Sequence, residues 1–284
     1  MSKSTNGGRY ALPRPFLKWV GGKGQLLPQL MERVEKAGDF KRYHEPFLGG
    51  GALFFELYRK GKLGRAKASL SDNNPRLIET YRGVQEETDA VIKHLLKHKQ
   101  KNDHDYYYDI RAKVPRALSA RAARIIYMNK TCYNGLYREN LKGLFNSPYG
   151  RYKNPQICDE ENLFAGAEAL SKAKIDVRHF ADVVEEAKAG DLVYFDPPYH
   201  PVSKTASFTT YAKGGFDENA QRLLAKVFGE LDEKGVKVFL SNSYTDFVLD
   251  LYKDFTVEEV QASRAINSNA NKRGKVSEAL VRNF

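Results

Sequence analysis

The chemistry-bearing text of this chain is Asp196-Pro197-Pro198-Tyr199, set directly after the apolar run Leu192-Val193-Tyr194-Phe195. A buried strand ending there delivers the four residues to the carboxyl edge of a sheet, where open α/β folds bind ligands. Two successive prolines fix φ and remove two backbone donors, so the carbonyls of the turn are expected to face outward as unopposed acceptors beside a solvent-facing carboxylate. That pattern suits an amino group. An exocyclic adenine amine is a poor nucleophile because its lone pair is delocalised into the ring. Accepting both its protons, by Asp196 and by the Pro197 carbonyl, concentrates density on nitrogen. Tyr199 adds a ring on which an extruded base stacks, a contact worth ~1–3 kcal/mol in single-strand binders. The plain alternative is a Pro-Pro turn that only ends a strand.

A second element lies near the other end. Gly49-Gly50-Gly51 follows a short extended segment ending in Glu45-Pro46-Phe47, and Asp72 stands about 20 positions on. Glycines let backbone approach a ligand closely, and an acidic residue at that distance suits a ribose hydroxyl. The run fits neither G-x-G-x-x-G nor a phosphate-loop sequence, and a purely structural turn is the competing reading.

These residues need a scaffold. Leu26, Leu27, Leu30 and Val34 have helical spacing, Ala52 to Tyr58 reads as a helix and Lys67 to Leu70 as a strand ending at Asp72. From Asn74-Pro75 onward helical patterns dominate through Met128. Tyr133 to Asn154 loses periodicity and fills with Asn, Gly, Arg, Tyr and Pro, as an exposed hairpin or loop would. Strand text resumes at Ile175 to Phe180, Asp191 to Phe195, Val236 to Leu240 and Thr256 to Val260, with a helix from Asp217 to Glu233. The expected architecture is α/β: a Rossmann-like sheet from residues 1–72 and 166–284, with a mostly helical insertion over 73–165 that carries a hairpin at about 133–154.

The chain has 284 residues, 42% hydrophobic, which is ample for a large core. Lys and Arg number 46 against 35 Asp and Glu, a net charge of +11 that favours a polyanionic partner. Cys132 and Cys158 have no paired spacing and no histidine cluster, so neither a metal site nor a disulfide framework is expected. Cys132 sits at a helix end rather than after a proline, which argues against a covalent cysteine nucleophile. Neither a secretory leader nor a membrane span is readable, and a soluble intracellular protein is expected.

Four segments together resemble one known family. Phe16-Leu17-Lys18-Trp19-Val20-Gly21-Gly22-Lys23, Glu45-Pro46-Phe47-Leu48-Gly49-Gly50-Gly51, Leu70-Ser71-Asp72-Asn73-Asn74 and Asp196-Pro197-Pro198-Tyr199 resemble the Dam family of DNA adenine-N6 methyltransferases, over nearly the whole chain. The order, cofactor loop, then target-recognition insertion, then DPPY, is similar to that of the α group of amino-methyltransferases. The resemblance implies an S-adenosylmethionine-dependent methyltransferase sheet, with S-adenosylhomocysteine as product and no metal. It places S-adenosylmethionine against Trp19, Lys23, Phe47, Gly49, Asp72, Phe180 and Asp196, and makes Asp196, Pro197 and Tyr199 catalytic. The family more often has an acidic residue where His179 precedes Phe180.

The text from Tyr133 to Tyr152 also resembles the family's hairpin for reading GATC. The resemblance implies that Tyr133 wedges between base pairs, Asn134 holds the orphaned base or its backbone, and Leu136, Arg138 and Pro148 read base edges. Lys18 would meet the first guanine. Ser207 to Tyr211 is similar to the loop beside the flipped adenine, and polar, basic Asn267 to Lys275 reads as a phosphate-facing loop. The implied partner is double-stranded DNA, met by a monomer in a prokaryotic or phage setting. Methylation of cytosine-N4, RNA adenine or protein glutamine, and a DNA-binding protein that has lost catalysis, are the alternatives.

Overall fold

The computed structural model describes residues 12–19, 21–140, 143–202, 216–263 and 275–284. Contacts group the chain into two units: 1–22 with 49–64 and 72–177, and 23–48 with 65–71 and 178–284.

The second unit is built on strands β1 (Arg42–Glu45), β2 (Lys67–Asp72, through Ser71), β4 (Leu192–Phe195), β5 (Lys237–Ser243), β6 (Thr256–Ser263) and β7 (Lys275–Arg282), in the order β2-β1-β4-β5-β7-β6. β1 runs parallel to both β2 and β4, and β4 parallel to β5. β7 is antiparallel to both its neighbours, β5 and β6. All four residues of β4 are buried, as a strand covered on both faces must be. The chain order reverses between β1 and β4, so the crevice beyond their carboxyl ends is the place where such sheets take ligands. Phe47 and Asp196 emerge there.

Helices cover this sheet for reasons visible in their sequences. In α1 (Leu27–Ala37), Pro28 starts the helix, Leu30, Val34 and Ala37 are buried, and Gly38 ends it at φ +67°. After the short helix α8 (Val183–Glu186) comes the long α9 (Glu218–Glu233), capped by Asp217, whose carboxylate accepts from Ala220 N–H. Its buried stripe is Gln221, Leu224, Val227, Phe228 and Leu231. The four apolar members of that stripe pack with Phe195, Val238, Leu240 and Tyr252 in one core.

The first unit is mainly helical: α2 (Ala52–Arg59), α3 (Pro75–Glu86), α4 (Thr88–Lys101), α5 (His104–Ala112), α6 (Leu118–Thr131) and α7 (Glu160–Leu170), with the short strand β3 (Ala173–Val177). Asn74 caps α3, its side-chain oxygen accepting from Arg76 and Leu77 N–H. Among the described residues no helix is long and apolar enough to cross a membrane.

Three strand expectations change. The Ile175–Phe180 run stops as a strand at Val177, and Phe180 opens a 3-10 turn capped reciprocally by His179 and Asp182. That reciprocal cap, rather than an acidic residue, is what position 179 supplies. β5 continues to Ser243, and β7 was not foreseen.

α3 and α6 approach closely at Gly83. A Cβ there would lie 2.5 Å from the Ala122 Cβ. Alanine in place of a helical glycine gains ~1 kcal/mol in propensity, whereas overpacking costs ~1–3 kcal/mol. Gly83→Ala is therefore expected to lower the urea midpoint. A raised midpoint would mean that the two helices separate at little cost.

Candidate active site and nucleic-acid interface

At the end of β4 the Asp196 side chain turns into the protein. Its Oδ1 lies 2.8 Å from the Lys23 Nζ, and the two side chains are only 21% and 8% exposed. Ser241 Oγ donates to the same Oδ1 at 3.1 Å. Ser241 has one proton, so across the 2.9 Å contact with Tyr194 its oxygen accepts from the Tyr194 hydroxyl. Burial pushes the Asp196 pKa above the usual carboxylate value, and the Lys23 charge and the two hydrogen bonds pull it back. The expectation of an exposed strand-end carboxylate is therefore corrected: Asp196 is half of a mostly buried ion pair, and truncating it would remove the carboxylate that pairs with the Lys23 charge.

The prolines also behave differently from the expectation that the turn's carbonyls are unopposed. The Pro198 carbonyl accepts from Gln221 Nε2 at 3.0 Å. Gln221 in turn accepts from Asn242 Nδ2 at 2.9 Å, and Asn242 Oδ1 accepts from the backbone N–H of His200 at 3.0 Å and of Ser243 at 2.8 Å. Gln221 and Asn242 are 1% and 0% exposed. Tyr199 presents its ring 4.4 Å from the Lys23 ammonium, while its hydroxyl donates to Glu278 at 2.6 Å. The ring is thus oriented at both ends.

Beside this turn, Phe47 stacks on Phe180 at 5.2 Å and 22°, and Phe216 meets both, edge-on to Phe47 and tilted to Phe180. Phe47 and Phe180, both assigned to the cofactor by the resemblance, lie against each other, and Phe216, which the sequence did not single out, packs on both.

In the first unit, the glycine turn is held by Asp72. Its Oδ2 accepts from Gly49 N–H at 3.2 Å and its Oδ1 from Asn74 N–H at 2.9 Å. Burial raises the Asp72 pKa, opposed by these backbone donors. Gly49 sits at φ +47°, and a Cβ there would come within 3.0 Å of the Trp19 ring. Glycine is required on both counts. Trp19 stacks on Tyr137 at 4.9 Å, which carries the indole from the glycine turn to the hairpin.

The hairpin is tied by antiparallel bridges Cys132 to Tyr149 and Glu139 to Phe145, with Tyr133 N–H donating to the Pro148 carbonyl at 2.8 Å. Tyr133 is 57% exposed. Asn134 and Arg151 adopt φ +58° and +54°, the left-handed region, which Asn tolerates better than most. Arg138 is exposed, and its carbonyl accepts from Asn146 N–H at 2.9 Å. Lys18 joins this group through Asn129, which sequence reading missed. The Asn129 amide accepts from Lys18 N–H at 2.8 Å and donates to the Lys18 and Gly135 carbonyls at 2.8 and 3.1 Å. Lys18, Tyr133, Asn134, Leu136 and Pro148 are thus on one small framework.

The Cys132 thiol is buried, with its pKa pushed up to about 11, so it stays protonated at neutral pH. Ser207 to Tyr211 and Asn267 to Gly274 lie outside the described residues.

A family model described as D12 class N6 adenine-specific DNA methyltransferase matches residues 19–266. A type II methyltransferase of Lactococcus lactis subsp. cremoris, M1.LlaDCHI, is 42% identical over 95% of each chain. M.MjaIII of Methanocaldococcus jannaschii is also 42% identical, covering 95% of this chain and 99% of its own. The DNA adenine methylase of Escherichia coli K12 is 34% identical over 94% of each. The chain belongs to the D12 class of N6 adenine-specific DNA methyltransferases. It is an enzyme that methylates adenine in DNA.

Asn129 makes three hydrogen bonds in a buried position. Asn129→Ala should cost roughly 2–4 kcal/mol in urea denaturation, since three backbone groups lose partners. Lys18→Ala removes an exposed side chain and should change stability by less than ~0.5 kcal/mol. Equal effects would show that the amide does not hold the segment.

Proposed function

We propose that the enzyme takes its methyl group from S-adenosylmethionine and acts on an adenine turned out of double-stranded DNA, within the sequence GATC. The observation that carries this reading is the paired, inward-turned Asp196 beside a Pro197 carbonyl that the hydrogen bonds of the turn leave available. Lys23 and Ser241 occupy Oδ1, so Oδ2 and the Pro197 carbonyl are the two acceptors offered to an N6 amine. Accepting both protons raises electron density on the nitrogen that attacks. The Tyr199 ring, fixed by Glu278, stacks on the base.

Trp19, Lys23, Phe47, Gly49, Asp72, Phe180 and Asp196 would hold the cofactor. The fit is chemical: Asp72, locked by two backbone donors, suits a ribose diol, and the flat faces of Phe47 and Phe180 suit an adenine ring. When bound, S-adenosylmethionine supplies an electrophilic methyl group on a sulfonium.

The segment 73–165 would serve target recognition, and 1–72 with 166–284 the chemistry. In the hairpin, Tyr133 is exposed enough to wedge between base pairs, with Asn134 beside it. Lys18, Leu136, Arg138 and Pro148 would read the site. Only Arg138 among these can donate two parallel hydrogen bonds to guanine O6 and N7. Arg151, at the hairpin's return, suits a phosphate. The +11 charge supports a polyanion as partner. A single copy suffices for chemistry on one strand.

Labelled S-adenosylmethionine with duplexes altered singly at each GATC position tests the assignment. Asp196→Asn, which keeps side-chain volume, should lower single-turnover transfer by at least ~100-fold. Near-normal turnover would remove Asp196 from the mechanism. Arg138→Ala should lose discrimination at one G·C pair by roughly 1–3 kcal/mol, whereas Arg151→Ala should weaken all sequences alike. A uniform loss in Arg138→Ala, with the ranking of altered sites kept, would make it a phosphate clamp.

A further inference from the structure

The turn after β4 has a structural problem that its own backbone cannot solve. Pro197 and Pro198 carry no N–H, so the stretch lacks the donors that normally knit a turn together. Two fully buried side-chain amides supply what is missing. Gln221, from the apolar stripe of α9, donates to the Pro198 carbonyl at 3.0 Å, and Asn242, from β5, accepts the His200 N–H at 3.0 Å. Asn242 Nδ2 then donates to Gln221 Oε1 at 2.9 Å, which fixes the direction of both amides.

We propose that Gln221 and Asn242 form a positioning pair that decides which carbonyl of the turn remains for the substrate amine. The pair engages the Pro198 oxygen and pins the chain at His200, so the Pro197 oxygen is left beside Asp196. This rests on the reading that the Pro197 carbonyl and Asp196 accept the amine protons. Neither amide touches the reacting atoms. Their effect is on the rate of methyl transfer rather than on cofactor affinity.

The chemistry of the pair supplies a reversible test. In Gln221→Glu a protonated carboxyl has nearly the shape of the amide. Its O–H donates to the Pro198 carbonyl and its C=O accepts from Asn242, so every bond is kept. Once ionised, the carboxylate has no donor and faces the Pro198 oxygen, so the turn is released. Burial holds such a carboxyl protonated to higher pH than usual. The titratable and charged groups on the elements that contact α9 or adjoin the turn are Glu218 and Arg222 on α9 itself, Asp196, Tyr199 and His200 on the turn, Glu278 bonded to Tyr199, His179 and Asp182 on the 3-10 turn, Glu185 and Glu186 just after it, and Lys237 on β5. All are present in both proteins, so the ratio of variant to wild-type rate removes their own titrations.

Single-turnover methylation of a GATC duplex should show that ratio falling at least tenfold between pH 6 and pH 9. The Kd for S-adenosylmethionine, measured by calorimetry at both pH values, should stay within threefold of wild type. Gln221→Met, which lacks both donor and acceptor, should be at least tenfold slow at every pH. A flat ratio for Gln221→Glu, a Gln221→Met rate within twofold of wild type, or a rate loss that follows loss of cofactor binding or of the folded state would overturn the proposal. Asp196→Asn reports on the underlying reading separately, because an active Asp196→Asn protein defeats that reading whatever Gln221 does.

Discussion

A carboxylate taken out of water at the end of β4 is the constraint around which the second unit is arranged. Desolvation favours its neutral form, and a neutral Asp196 would be a poorer acceptor. Lys23 opposes that by charge, and Ser241, itself receiving the Tyr194 proton, opposes it by hydrogen bonding. Lys23 lies four residues before α1, Asp196 at the tip of β4 and Ser241 within β5. The Ser241 hydrogen bond therefore depends on the parallel register of β4 with β5, in which Phe195 stands opposite Leu240, and the ion pair depends on the segment before α1. The same ammonium faces the Tyr199 ring, so one cation charges the acid and orients the aromatic.

The first unit solves a different problem, which is to hold short, irregular backbone still. Asp72 stitches Gly49 to Asn74, and Asn129 stitches Lys18 to Gly135. Both use a side chain where regular backbone pairing is unavailable. The hairpin then needs few bridges of its own, and Tyr133 and Arg138 remain exposed. The loop is thus exposed along its length and held firmly at its root.

What the sequence disclosed follows from how local each feature is. Asp196 to Tyr199 is contiguous and follows four apolar residues, so strand, edge and chemistry could be read together. Gly49 and Asp72 lie 23 residues apart, at the start of a helical pattern and the end of the strand pattern that follows it, and were readable from those two local signals. Asn129, Gln221, Ser241 and Asn242 were not, because each acts on a distant stretch of chain: Gln221 across 23 residues, Asn242 across 42, Ser241 across 45 and 47, and Asn129 across 111. The signal they did leave is a polar residue on an apolar stripe: Gln221 heads the row Leu224, Val227, Phe228 and Leu231. β7 escaped because Lys275 to Arg282 mixes charged and apolar residues without clean alternation, and becomes a strand by pairing on both sides. Phe180 was misplaced into a strand because the His179–Asp182 cap was not recognised.

The central claim is that Lys23 keeps Asp196 charged at neutral pH despite burial. Its direct measure is the carboxyl carbon resonance of Asp196, assigned through Asp196→Asn in protein labelled at aspartate, and followed against pH. Without Lys23 the charged form loses its main support, so the pKa must rise. Wild-type Asp196 should be ionised at pH 7, and in Lys23→Met the resonance should titrate at clearly higher pH. An Asp196 that is protonated at pH 7 in the wild type, or one whose titration is unmoved by Lys23→Met, would contradict the account.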